Sequence, residues 1–123
     1  MIKIDVVLEF KSYIMYRAKM NNCKLELDHL EYKIEKKLEV DINGEVEYYK
    51  NITKELQVKI DRMTLSLEGL TDRERNVIEL CYMNIPVLKY FQVAEIIGIS
   101  EGAVFQIRKR SFKKIEYLFN QSI

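Results

Sequence analysis

One proline, four glycines and one histidine among 123 residues leave little material for several kinds of protein. A single proline, Pro86, permits long uninterrupted helices elsewhere. The glycines form no phosphate-cradling loop, and no nucleophile motif is present. His29, the only histidine, falls on the polar side of a helical pattern, where a solvated side chain is expected rather than a general base. Glu31 and Glu35 share a helix face, as carboxylates do on any charged helix. Catalysis is therefore not expected, and no catalytic residue is assigned. The two cysteines, Cys23 and Cys81, belong to no CxxC or Cys/His cluster, so no metal site and no cofactor are expected. Each lies on an apolar face, which reads as a buried free thiol in a reducing compartment rather than half of a disulfide. No run approaches the roughly 18 apolar residues of a membrane span. Lys3, Asp5, Glu9 and Lys11 interrupt the N-terminal apolar residues, unlike a signal peptide.

Neither sign of charge predominates. The formal net charge is +1, low for a protein that binds nucleic acid. Its distribution is uneven, however. Residues 1–70 hold 12 basic and 13 acidic side chains, and residues 71–123 hold 8 basic and 6 acidic. The excess concentrates at Arg108, Lys109, Arg110, Lys113 and Lys114.

Those residues follow the most informative tract of the chain, Phe91 to Arg110. Val93, Ile96 and Ile97 have the spacing of an inward helix face, and Ala94 is small where two helices would cross. Gly98 suits a sharp turn in a left-handed conformation. Ile99 would fill the space beneath the turn, and Ser100 is an N-cap for a second helix. Val104, Ile107, Ser111 and Ile115 then define a buried stripe. Gly102, Phe105, Gln106, Lys109 and Lys113 fall on the opposite face. Helix, glycine turn and basic second helix form the order of a helix-turn-helix, which places its second helix in the DNA major groove. Upstream, Thr71-Asp72-Arg73-Glu74 is a capping box that starts another helix. Its apolar stripe is Val77, Ile78, Leu80 and Cys81, and a loop is expected over residues 84–88, around Pro86.

Residues 70–119 resemble region 4 of sigma-70-type sigma factors. The resemblance is carried by Leu70-Thr71, Glu74-Arg75, Val77-Ile78, Leu80 and Tyr82, then Val93-Ala94, Ile97-Gly98-Ile99-Ser100, Val104, Gln106-Ile107 and Ser111 to Ile115. Gln92 and Cys81 depart from the usual glutamate and arginine. The chain as a whole resembles small phage and prophage transcription regulators of the ArpU and RinA kind. These resemblances imply base contacts from Glu101, Gly102, Phe105 and Gln106. Ser100, Lys109, Arg110 and Lys113 complete the expected DNA-binding set. They also imply a bacterial cytoplasmic setting and RNA polymerase as a second candidate partner. No counterpart of sigma region 2 is present, so a self-sufficient sigma factor is not expected, and half of a split one stays an alternative.

Residues 1–69 read as a separate helical hairpin. Tyr16, Met20, Cys23, Leu27, Leu30 and Ile34 form one three-four seam, and Val46, Tyr49, Thr53, Leu56, Ile60, Met63 and Leu67 form a second. Asp41-Ile42-Asn43-Gly44 is read as the turn between them. The first helix, about 35 residues long, would reach roughly 50 Å. The tyrosines near these seams are expected to pack with their hydroxyls at the rim. Val6, Val7, Phe10 and Ile14 need additional cover, which a second chain would supply. A homodimer is therefore expected, with Met20, Cys23, Leu27, Leu30, Ile34, Leu56 and Ile60 as its core, and no membrane partner. The expected architecture is all-α: a long antiparallel, coiled-coil-like hairpin over 1–69 and a sigma-region-4-like helix-turn-helix domain over 70–123. The leading function is sequence-specific regulation of transcription on double-stranded DNA. A small terminase-like DNA-packaging subunit and a polymerase-binding protein are the alternatives.

Overall fold

The computed structural model describes residues 4–37 and 42–121, and among these every regular element is helical. The elements are α1 (Val6–Lys11), α2 (Tyr13–Glu35), α3 (Asn43–Ser66), a 3-10 turn (Leu67–Gly69), α4 (Asp72–Ile78), a π-helical turn (Glu79–Met83), α5 (Tyr90–Ile97) and α6 (Glu101–Gln121). Two compact units are present, one made of 1–14 together with 62–123, the other of 15–61.

The second unit is the hairpin. Lys59 Nζ lies 5.0 Å from the centroid of the Tyr16 ring. Burial raises the Tyr49 hydroxyl's pKa, and the Glu26 carboxylate near it raises it further. Pairing of residue 16 with 59, and of 26 with 49, fixes an antiparallel register. Met20, Cys23, Leu30, Leu56 and Ile60 are buried and Leu27 is half-buried. All seven residues of the second expected seam are buried or half-buried. Ile34, expected in the first seam, is instead exposed.

The turn also differs from expectation. Asn43 and Gly44 belong to the first turn of α3, and Lys37 takes a positive φ of 56° just past the end of α2. The start of a helix tolerates Asn and Gly as well as a turn does, so the Asn-Gly signal marks the helix start. Asp41 lies outside the described residues.

The first unit holds the larger core. α4 starts at the expected capping box. Thr71 Oγ1 accepts from the Glu74 N–H at 3.2 Å, and the Thr71 N–H donates to Glu74 Oε1 at 2.9 Å. Val77, Ile78 and Cys81 are buried as expected, while Leu80 is half-buried and Tyr82 goes inside. After the π-helical turn the chain leaves the helix at Asn84, whose Nδ2 donates to the Pro86 carbonyl at 2.7 Å. The expected loop is thus present.

α1 joins this unit and not the hairpin, which corrects the boundary expected between residues 69 and 70. The single first helix is interrupted at Ser12, whose Oγ donates to the Leu8 carbonyl at 3.0 Å. Such bonding back to the previous turn loosens and bends helices. Val6 and Phe10 are then buried, with α1 packed on α6 and on the π-helical turn. Phe10 meets Phe112 edge-on at 5.7 Å and Tyr82 at 6.5 Å, and Tyr82 meets Phe112 at 5.3 Å. Such pairs contribute beyond their buried area. The cover that Val6 and Phe10 need therefore comes from the chain's own α6, and this argument for a second chain falls.

Candidate nucleic-acid interface

The interface is built from α5, a three-residue turn and α6. Val93 and Ala94 are the buried residues of α5. Ile97 is half-buried and Ile96 is exposed, against the expectation that both face inward. An eight-residue helix buries a narrow stripe, and here it is centred on Val93 and Ala94. Gln92, one of the departures noted above, accepts the Lys89 N–H at 2.8 Å and so supports the start of α5.

Gly98 ends α5 with φ 82° and ψ 37°, the left-handed region. Its N–H and that of Ile99 both donate to the Ala94 carbonyl, at 2.8 and 3.1 Å. A Cβ at Gly98 would meet nothing within 4 Å, so only backbone strain opposes substitution. Gly98→Ala is expected to destabilise the protein by about 1–2 kcal/mol, read as a fall in denaturant midpoint with unchanged slope. Ser100 then caps α6, its Oγ accepting the Ala103 N–H at 3.1 Å. The hydroxyl of Ser100 is thus engaged at the helix start.

On α6, Val104, Ile107, Ser111 and Ile115 are all buried, as their spacing predicts. Ser111 avoids a penalty by donating to the Ile107 carbonyl at 2.6 Å. Glu101, Gly102, Phe105, Gln106, Lys109 and Lys113 are all exposed. Phe105 keeps 45% of its surface accessible, so a large apolar side chain stands on the presented face. Gly102 has open space around it, which leaves the first turn free for close approach.

The basic cluster divides. Arg110 was expected among the DNA-binding residues, but its Nε lies 2.9 Å from Glu74 Oε2. Lys114 Nζ lies 2.8 Å from Glu74 Oε1. Glu74 itself is fully buried. Burial pushes its carboxyl upward. Hydrogen bonds from Lys114, the Thr71 backbone, Arg110 and the Thr71 side chain outweigh that and hold it at about 2. Arg108 donates to the Tyr82 hydroxyl and lies over the rings of Phe112, Tyr82 and Tyr90 at 5.1, 5.8 and 6.0 Å. Burial pushes the Tyr82 hydroxyl up to about 12 despite that arginine, and burial likewise raises the Cys81 thiol to about 11. Three of the five basic residues therefore hold α6 against the core, leaving Lys109 and Lys113 on the presented face.

Glu74 is the residue whose weight sequence reasoning missed. The sequence presents it as half of a capping box and as part of the region 4 resemblance, not as a partner for cations on α6. The available signal was Arg110 and Lys114, one helical turn apart beside the buried stripe, where a pair of cations needs an acidic partner.

A short helix, a left-handed glycine turn and a capped second helix with an exposed mixed polar and basic face define a helix-turn-helix DNA-binding unit. Residues 66–116 match the family model of sigma-70, region 4, and that segment is a helix-turn-helix domain of the region 4 type. No solved structure matches the chain. Among the described residues, no helix is long and apolar enough to cross a membrane.

Proposed function

We propose that this protein is a sequence-specific regulator of transcription that binds double-stranded DNA with the exposed face of α6 in the major groove. The observation that carries the reading is the division of α6 within the region 4 match. Val104, Ile107, Ser111 and Ile115 are buried, while Gly102, Phe105, Gln106, Lys109 and Lys113 face outward. Gln106 has the donor and acceptor pair that fits adenine, and Phe105 suits a thymine methyl group. Lys109 and Lys113 supply phosphate contact without base preference. The reading is one of binding, not catalysis, in a bacterial cytoplasm and on a phage or prophage genome.

Fluorescence anisotropy with duplex DNA tests it. Gln106→Ala is expected to lose about 1–3 kcal/mol on the preferred site and to relax preference at one base. Lys109→Ala and Lys113→Ala should weaken every sequence about equally and lower the salt slope by about one unit each. A Lys109 variant that lost only the preferred site would contradict the phosphate assignment.

A homodimer remains part of the proposal, on an exposed surface that keeps Ile34 of the core first expected. Met20, Cys23, Leu30, Leu56 and Ile60 are buried inside the single chain, so they build the hairpin and do not present themselves to a second copy. Exposed Met15, Leu25, Tyr32, Ile34, Tyr48 and Val58 are the large apolar residues of the hairpin unit left for one. Light scattering showing a monomer at micromolar concentration would remove this element.

A second reading, contact with RNA polymerase, is favoured by a groove of about 890 Å³ in the first unit. Leu67, Leu80, Met83, Ile96 and Ile97 line it alongside Arg73 and Glu79. Ile85, Val87 and Phe91 are exposed on the loop and α5 of the same unit. Under this reading Ile96→Asp abolishes co-purification with the polymerase while Gln106→Ala leaves it intact.

A further inference from the structure

The outward face of α6 is bordered by the chain that enters α1. Asp5 and Val6 line a shallow groove of about 350 Å³ together with Lys109, Lys113 and Glu116. The entering chain is held in place. Val6 and Phe10 are buried, the Ile4 N–H donates to Asn120 Oδ1 at 3.5 Å, and the Asp5 carboxylate accepts the Leu8 N–H at 3.2 Å. Asp5 itself stays exposed. The Asp5 carboxylate thus shares a groove with Glu116 and with the two lysines that remain for phosphate contact.

Charges that line one groove are incompletely screened from one another where they lie within the Debye length at physiological ionic strength, about 8 Å. A phosphate drawn to Lys109 and Lys113 therefore meets the Asp5 charge as well. The positive end of α1 offsets only part of that charge. A full helix supplies roughly half an elementary charge at its N-terminus, and α1 has six residues.

We propose that Asp5 is an electrostatic brake on DNA binding. It opposes phosphate contact by Lys109 and Lys113 on every sequence alike and leaves base reading by Gln106 untouched. The brake sets a ceiling on sequence-independent binding, which would otherwise hold the protein on unrelated DNA. This inference rests on the DNA-binding reading above.

Asp5→Asn tests it, because asparagine caps a helix as well as aspartate does and the fold is retained. Asp5→Ser is the second neutral capping variant, and thermal midpoints verify that both are folded. Glu68→Gln, which removes an exposed charge on the 3-10 turn outside this groove, is the control for net charge. All are titrated against random-sequence duplex and against the preferred site at low and high salt. The expected result is a rise of about two- to fivefold in affinity for both duplexes at low salt, absent in Glu68→Gln and closing at high salt. Equal affinities for Asp5→Asn, Asp5→Ser and Glu68→Gln would overturn the brake while leaving DNA binding intact. Gain on the preferred site alone would overturn it too, by showing that Asp5 acts on base reading. If the wild-type chain binds no duplex at either salt, the DNA-binding reading fails and the inference falls with it.

Discussion

Replacing Phe10 by alanine is expected to destabilise the unit that carries the DNA-binding face by about 3–5 kcal/mol. Phe10 is fully buried, and it contacts both Phe112 on α6 and Tyr82 on the π-helical turn. Truncation removes the ring's transfer energy and both edge-to-face contacts, and it leaves a hole beneath the helix that presents Gln106 and Lys109. The position is informative because residue 10 lies far outside the 66–116 match. If α1 belonged to the hairpin alone, Phe10→Ala would leave the thermal transition of a spectroscopic probe on α6 unchanged. The structure predicts instead that this transition moves with the rest of the unit and that DNA affinity falls with it. A loss below about 1 kcal/mol in urea denaturation, the level of an ordinary surface substitution, would contradict the placement of α1.

Glu74→Ala is the second large effect, with an expected cost of about 3–5 kcal/mol, the range for breaking a buried charge cluster from one side. The substitution opens the capping box and releases Arg110 and Lys114 together. Both cations keep substantial solvent contact, at 58% and 42% exposure, so they rehydrate and the lower end of the range is favoured. Glu74→Gln keeps an acceptor for the Thr71 N–H and removes only the charge, so it should cost less. A pH signature distinguishes the two contributions. The Glu74 carboxyl sits at about 2 in the folded protein against an ordinary value of 4.5. Its stabilisation is complete above pH 4.5 and is lost as pH falls from there toward 2. The span corresponds to at most about 3 kcal/mol, reduced because both partners reach it from the solvent side. Wild type should therefore lose stability over that window, and Glu74→Gln should show a flatter profile there. Parallel profiles would mean that Glu74 contributes through its cap and its packing alone.

The helix-turn-helix was legible in the sequence because its signals are local. Gly98, Ser100 and the Thr71–Glu74 box each act within three or four residues, and each is found where its spacing placed it. The buried stripe of α6 was legible for the same reason, since four consecutive contacts repeat at helical spacing. What escaped notice depends on distant partners. Glu74 meets Arg110 and Lys114 across 36 and 40 residues, and the cation pair on α6 signals the need for an acidic partner without saying which residue supplies it. Arg110 therefore looked like an unpaired basic residue, whereas its Nε is paired with Glu74 while its side chain stays largely exposed. Val6 and Phe10 have a helical period that fits a longer hairpin helix and a separate α1 equally well. Only the partners of Phe10, Tyr82 and Phe112, decide between the two, and both lie some 70 or more residues away in the chain. The break at Ser12 had a single weak signal, a serine able to bond back to Leu8. Periodicity located α5 correctly but not which of its isoleucines faces inward, because so short a helix spans barely two turns.

The central claim is that the outward face of α6 reads duplex DNA by sequence. Selection from a random-sequence duplex library, with sequencing of what the wild-type protein and Gln106→Ala retain, tests it most directly. The account predicts a defined motif for wild type and loss of preference at one position of that motif for Gln106→Ala. Retention without any motif, or an identical motif from both proteins, would contradict it.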